Sequence, residues 1–142
     1  MYGPGMTDPL TPAAHDMLAD DRASRGLGIE IAEASNGRAV ATLTVADHHC
    51  NGLGVCHGGF IFTLADTAMA FATNAGGNRA FATNAEIDFV EAAKPGDVLT
   101  ATCDRIVARG RAGVSDAAVT NQRGDTVAVF RGRTLETRGA PA

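Results

Sequence analysis

The 142-residue chain is predicted to be α+β, with one long helix wrapped by a curved antiparallel sheet of about six strands. Three observations predict it. Gly59 to Asn74 is long, rich in Ala, Leu and Met, and apolar nearly all round. A helix of that kind must be covered on several sides. Runs of strand length outnumber helices, and every break between them carries Gly or Pro.

The elements follow in order. Met1 to Leu10 is rich in Gly and Pro and reads as a tail without regular structure. Thr11-Pro12 reads as an N-cap followed by Pro at the first helical position, opening a helix from Pro12 to Ser24 that Gly26 and Gly28 end. Strands are expected at Ile29 to Ala34 and Arg38 to Val45, joined by a hairpin turn at Asn36-Gly37. Asp47 to Gly58 is loop, and the long helix follows from Gly59. Ala80 to Glu91, Val98 to Ala108, Ala112 to Thr120 and Thr126 to Thr134 are then read as a four-strand meander. Its turns lie at Lys94-Pro95-Gly96-Asp97, Arg109-Gly110-Arg111 and Gln122 to Asp125. The whole is one domain over residues 11–136, with residues 137–142 as a second tail.

Composition narrows the function. Hydrophobic residues make up 45 % and charged residues 20 %, the balance of a globular chain. The net charge of −4 argues against a nucleic-acid partner, although Arg105, Arg109 and Arg111 cluster locally. Three cysteines in no scaffold-like spacing point to reduced thiols and a cytoplasmic address. No apolar run reaches the ~18 residues that a membrane span requires. The first residues lack a basic region followed by an apolar one, so no secretory signal is expected.

The stretch Asn51 to Phe71, NGLGVCHGGFIFTLADTAMAF, carries the chemistry. Its glycines admit three readings. Gly52, Gly54 and Gly58 mimic a dinucleotide-binding turn, but the βαβ context that such a turn needs is missing. His48, His49, Cys50, Cys56 and His57 are residue types that suit zinc, in a spacing that matches no closed framework. The third reading is a helix N-terminus built for a polarised oxygen. Gly58-Gly59 lets a substrate approach the backbone, and the first helical N–H groups are unpaired at the positive end of the dipole. Such donors stabilise a developing oxyanion. Tight packing alone would also explain the glycines.

Asp66 sits two turns into the helix, on a narrow polar stripe with Thr63, Thr67, Thr73 and Asn74. The stripe is either a solvated face or the mouth of an apolar pocket. In a pocket, partial desolvation would raise the Asp66 pKa and make it a better base, or it could attack a carbonyl itself.

Taken together, these residues resemble the hotdog-fold thioesterases, most closely the phenylacetate-pathway (PaaI-type) acyl-CoA thioesterases. The likeness is carried by Asn51-Gly52, Cys56-His57-Gly58-Gly59 and Leu64-Ala65-Asp66-Thr67-Ala68. It continues through Ile87-Asp88-Phe89, Gly96-Asp97, Leu99-Thr100-Ala101, Asn121-Gln122 and Val127 to Gly132, and so spans Met17 to Thr134. The resemblance implies hydrolysis of an acyl-CoA, phenylacetyl-CoA or a ring-hydroxylated relative, to the free acid and CoA, with no metal or cofactor. It implies a homodimer joined edge to edge and paired again into a homotetramer, with active sites between subunits.

Roles carry over by position. The Gly58 N–H would polarise the thioester carbonyl, and Asp66 would be the nucleophile or the base that activates water. Asn51 would orient the reacting groups, Thr67 would support Asp66, and His57 would shape the turn. Thr83, Asn84, Arg109, Gly110 and Arg111 match the positions that bind CoA, where an Arg suits a phosphate. Phe60, Phe62 and Met69 are candidates to line the acyl pocket, with core packing as the alternative. The chain departs from many relatives at Ser115, Ala92 and Leu53, where they carry Tyr, Pro and His. These departures bear on the acyl group. A hydratase or dehydratase of the same fold would pair an Asp with a His base, and no His follows His57. A non-catalytic acyl-CoA-binding protein would have no use for Asp66.

Overall fold

The computed structural model describes residues 7–138. Its axis is α3, Gly58–Asn74, in which Leu64, Ala65, Ala68, Met69, Phe71 and Ala72 are fully buried. Strands β1 (Glu30–Ser35), β2 (Arg38–Thr44), β3 (Ala80–Phe89), β4 (Val98–Arg109), β5 (Ala112–Thr120) and β6 (Thr126–Glu136) form one sheet around it. Small side chains line the face beneath the helix: Ala39, Ala41, Ala101, Cys103, Ala117 and Ala128 are all buried. They let the helix backbone lie close to the strands, which is how one sheet can curve round it. Phe71, Leu43, Leu99, Val119 and Val127 fill the remaining space. Truncating a buried ring such as Phe71 to Ala would cost about 3–5 kcal/mol.

All five pairings are antiparallel, in the order β1-β2-β4-β5-β6-β3. The meander expected from the sequence therefore holds for β4, β5 and β6 but not for β3, which pairs with β6 at the far edge. The connection explains the difference. Val90 to Asp97 is too long for a hairpin and is anchored to the rest of the fold. Cys56 N–H donates to Ala93 O, and Gly96 N–H to Val45 O. The Lys94–Asp97 turn exists, with Gly96 at φ +90, but it carries the chain across the sheet rather than back alongside.

The N-terminal helix is two helices, not one. The Thr11 hydroxyl caps α1 (Pro12–Asp20) by accepting from Ala14 N–H at 3.2 Å. Asp21 then breaks the run, because its carboxylate accepts from both the N–H and the hydroxyl of Ser24 and so caps α2 (Arg22–Leu27). Gly26 lies inside α2, and Gly28 alone, in the left-handed conformation, ends it. Pro9 and Leu10, expected in the tail over residues 1–10, belong to the fold. Leu10 is buried and bridges Ala34, and Ala34 N–H donates to Pro9 O. At the other end Thr137 still donates its N–H to Arg79 O. Residues 1–6 and 139–142 lie outside the described residues.

Candidate active site

The loop before α3 is more ordered than a Gly-rich stretch suggests. A 3-10 turn, Asp47–His49, opens it, and Cys50 and Cys56 face each other as an antiparallel bridge. His49 is fully buried with both ring nitrogens engaged: Nδ1 accepts from Ala46 N–H and Nε2 donates to Leu27 O, each at 2.9 Å. It is a structural histidine, which removes it from the zinc reading. Cys56 is also buried, and burial pushes its thiol up to about 11. The dinucleotide reading fails because every strand pair is antiparallel.

Asn51 uses its side-chain oxygen inside the loop, accepting from Leu53 N–H at 2.9 Å and Val55 N–H at 3.4 Å. Its amide nitrogen makes no hydrogen bond among the described residues. His57 is the N-cap of α3, with Nδ1 accepting from Gly59 N–H at 2.9 Å. The helix therefore begins at Gly58, one residue earlier than expected, and the Gly58 N–H meets no acceptor among the described residues. A Cβ on Gly58 would lie 3.0 Å from the Phe89 ring, so only glycine fits there without moving that ring.

Asp66 lies half-buried at a cleft of about 620 Å³. It has no hydrogen bond or ion pair among the described residues. Burial holds its pKa above the ordinary carboxylate value. The polar stripe is not a solvated face. Thr67 and Thr73 are buried, and Thr73 donates to Met69 O. Asn74 joins the helix end to β3 by bonding the backbone of Ala80 in both directions. Met69, Ala70, Phe81, Ala82 and Thr134 line the apolar side of the cleft. Of the three acyl-pocket candidates only Met69 reaches it. Phe60 packs against His49 and His57, and Phe62 edges onto Phe130.

The five CoA candidates gather at one end of the sheet. Ala112 pairs with Leu135, and Leu135 with Phe81, so the Gly110-Arg111 turn and the first half of β3 flank β6. Gly110 takes φ +60 in that turn. Arg111 donates to Glu136 O at 3.2 Å. The side chains of Arg109 and Asn84 make no hydrogen bond among the described residues, and the Thr83 hydroxyl donates to Arg133 O at 3.4 Å.

Two contributions escaped the sequence reading. The cleft's other wall comes from α1, through Ala13, Asp16, Met17 and Asp20. Arg79 stands at the rim, its guanidinium 5.9 Å from the Phe81 ring centre. The spacing of Ala13, Asp16, Met17 and Asp20 on one helical face was the available signal.

One distance governs what this arrangement can do. Gly58 and Asp66 are eight residues apart on one helix. At 1.5 Å per residue that is about 12 Å, too far for both to touch one carbonyl, which requires contacts of about 3 Å. If both act on one carbonyl, they must come from two chains, each supplying a half-site.

Residues 53–128 match the thioesterase superfamily. The chain is 43 % identical to acyl-coenzyme A thioesterase PaaI of Escherichia coli over 120 residues, 84 % of this chain and 86 % of that protein. The structure of the E. coli PaaI protein, from the phenylacetic acid degradation operon, superposes with a TM-score of 0.88 at 41 % identity, covering 90 % of this chain and 93 % of that one. A hypothetical thioesterase protein of Streptococcus pneumoniae, solved with coenzyme A, superposes with a TM-score of 0.75 at 28 % identity, covering 80 % of this chain and 91 % of that one. The chain belongs to the thioesterase superfamily and is a hotdog-fold thioester hydrolase.

Proposed function

We propose that the enzyme hydrolyses an acyl-CoA, phenylacetyl-CoA or a ring-hydroxylated relative, to the free acid and CoA in the cytoplasm. The observation that carries this is the Asp66 carboxylate, half-buried and unpaired among the described residues, in the wall of a cleft with an apolar side. Ionised, it attacks the thioester carbonyl or takes a proton from water that does. The Gly58 N–H, at the positive end of α3, receives the developing oxyanion. Asn51, through its amide nitrogen, orients the carbonyl or the water. Thr67, one residue on, supports Asp66, and His57 holds the turn that presents Gly58. CoA runs along the end of the sheet at Thr83, Asn84 and the Arg109-Gly110-Arg111 turn. The similarity to E. coli PaaI supports the acyl class.

The half-sites meet when two copies pair through β3. This strand is a sheet edge with Phe81 57 % and Phe89 54 % exposed, and long apolar edges call for a partner. Antiparallel pairing sets the Phe89 end of one copy, with Gly58 beneath it, along the Phe81 end of the other, where the Asp66 cleft opens. Two such dimers then form the tetramer.

The test is free-thiol release from aromatic and aliphatic acyl-CoAs by wild type and Asp66→Asn. The expected outcome is fastest turnover of an arylacetyl-CoA and a loss of about 10²-fold or more in the variant. Binding of CoA esters without thiol release would overturn the reading in favour of a binding protein.

A further inference from the structure

The facing cysteines beside the helix start have no part in the reaction above. Asn51 N–H donates to Val55 O at 2.9 Å, and His57 N–H donates to His49 O at 2.8 Å. Those two bonds bracket Cys50 and Cys56, which makes them a directly opposed, non-hydrogen-bonded antiparallel pair. Such pairs have Cα atoms about 4.5 Å apart and side chains on one face of the ribbon. A disulfide spans Cα separations of about 4.4–6.8 Å. Both thiols are free and neither is firmly held: Cys50 Sγ lies 3.6 Å from Ala46 O, and Cys56 Sγ 3.7 Å from His57 O. Rotation about each Cα–Cβ bond would forfeit these weak contacts and shift part of the packing of Cys56, which belongs to the buried core.

We propose that Cys50 and Cys56 form a reversible disulfide across the neck of the loop, made by exchange with a small-molecule disulfide. Cys50 is half-buried and Cys56 buried, so Cys50 reacts first. Its thiolate attacks the reagent RSSR, giving a Cys50 mixed disulfide and releasing one RS⁻. The Cys56 thiolate then attacks the Cys50 sulfur, forming the internal bond and releasing the second RS⁻. The two cysteines are oxidised by two electrons in all, and the reagent is reduced to two thiols. Burial raises the Cys56 thiol to about 11, but its attack is intramolecular and across a pre-formed pair. A pair of this type falls within the disulfide range, and the same exchange run with a reducing dithiol reopens the bond.

Closing the bond turns both side chains toward each other and shifts the two arms of the loop that carry them. One arm carries Asn51 and the other leads through His57 to Gly58. A displacement approaching 1 Å at reacting groups can cost up to two orders of magnitude in rate. Oxidation therefore lowers turnover, by about tenfold on that scale. This consequence rests on the proposed roles of Asn51 and Gly58; the bond itself does not.

The experiment incubates the full-length protein with oxidised glutathione, maps its peptides by mass spectrometry and measures thiol-ester turnover before and after dithiothreitol. The expected result is a Cys50–Cys56 linkage in wild type and in Cys103→Ser. Turnover falls with its formation and returns on reduction, while Cys50→Ser and Cys56→Ser form no internal bond. Finding only glutathione adducts, intermolecular bridges or unreacted thiols would overturn the proposal. A linkage that leaves turnover unchanged would overturn its effect on catalysis. A protein with no hydrolytic activity at all would sink the proposed function, and the peptide map would still decide the bond.

Discussion

Folding leaves the Asp66 carboxylate half-buried, and its pKa rises for that reason. Turnover should accordingly climb through the acid range above the ordinary carboxylate value and then level off, which a kcat profile against pH will record. The same shift acts on stability with the opposite sense. Between the unfolded and folded pKa values the native chain keeps a proton that the unfolded chain has lost, so stability falls as pH rises through that window. Asp66→Asn should therefore melt higher than wild type at pH 7, with the advantage gone below about pH 3.9. Thermal melts at the two pH values check this. Asp97 behaves in the reverse sense. The Gln122 amide and the Lys94 N–H hold its carboxylate below the usual range. Its contribution is complete above the unfolded pKa and is lost as pH falls through the folded one, so Asp97→Asn should flatten that acid dependence. At this scale the sequence was informative about type and poor about partners. Asp66 stood out as a carboxylate in an apolar run, whereas the engagement of Asn51 within its own loop is set by backbone geometry that no spacing reveals.

Among the elements, α3 and β6 approach closely at Gly132, where an added Cβ would fall onto the Met69 sulfur and 3.1 Å from the Phe130 ring. Gly132→Ala should destabilise the fold by about 1–3 kcal/mol through overpacking. Met69→Ala in the same chain should relieve much of that loss, and a double-mutant cycle by chemical denaturation will show the coupling. The sequence made most elements legible, because alternation and Gly or Pro breaks are local. It misplaced β3 because strand order depends on where a long connection is anchored, here at Val45, Cys56 and Val127, and those contacts are remote in the chain. The division of the first helix at Asp21 turned on one side-chain cap.

For the whole molecule, the proposed pairing makes a demanding prediction. Asp66→Asn and Asn51→Ala should each be nearly inactive alone. Mixed under conditions that exchange subunits, they should regain activity, because a hybrid dimer holds one intact site and one doubly damaged site. Thiol release after mixing, with subunit exchange followed by native mass spectrometry, gives the answer; no recovery would place both residues in one chain's site. The fold class followed from a helix too apolar to stand uncovered. The cleft wall supplied by α1 did not, since nothing local says which surface a short amphipathic helix will cover.

Because α3 is one rigid rod, the separation of Gly58 from Asp66 cannot be adjusted. Under edge-to-edge pairing its tip serves one reaction centre and its middle serves the other. A small axial slide of either rod then shifts the oxyanion donor at one centre and the carboxylate at its twin by the same amount. Under that pairing the two centres would be geared, and a substrate that seats the rod correctly at one would set the alignment of the next.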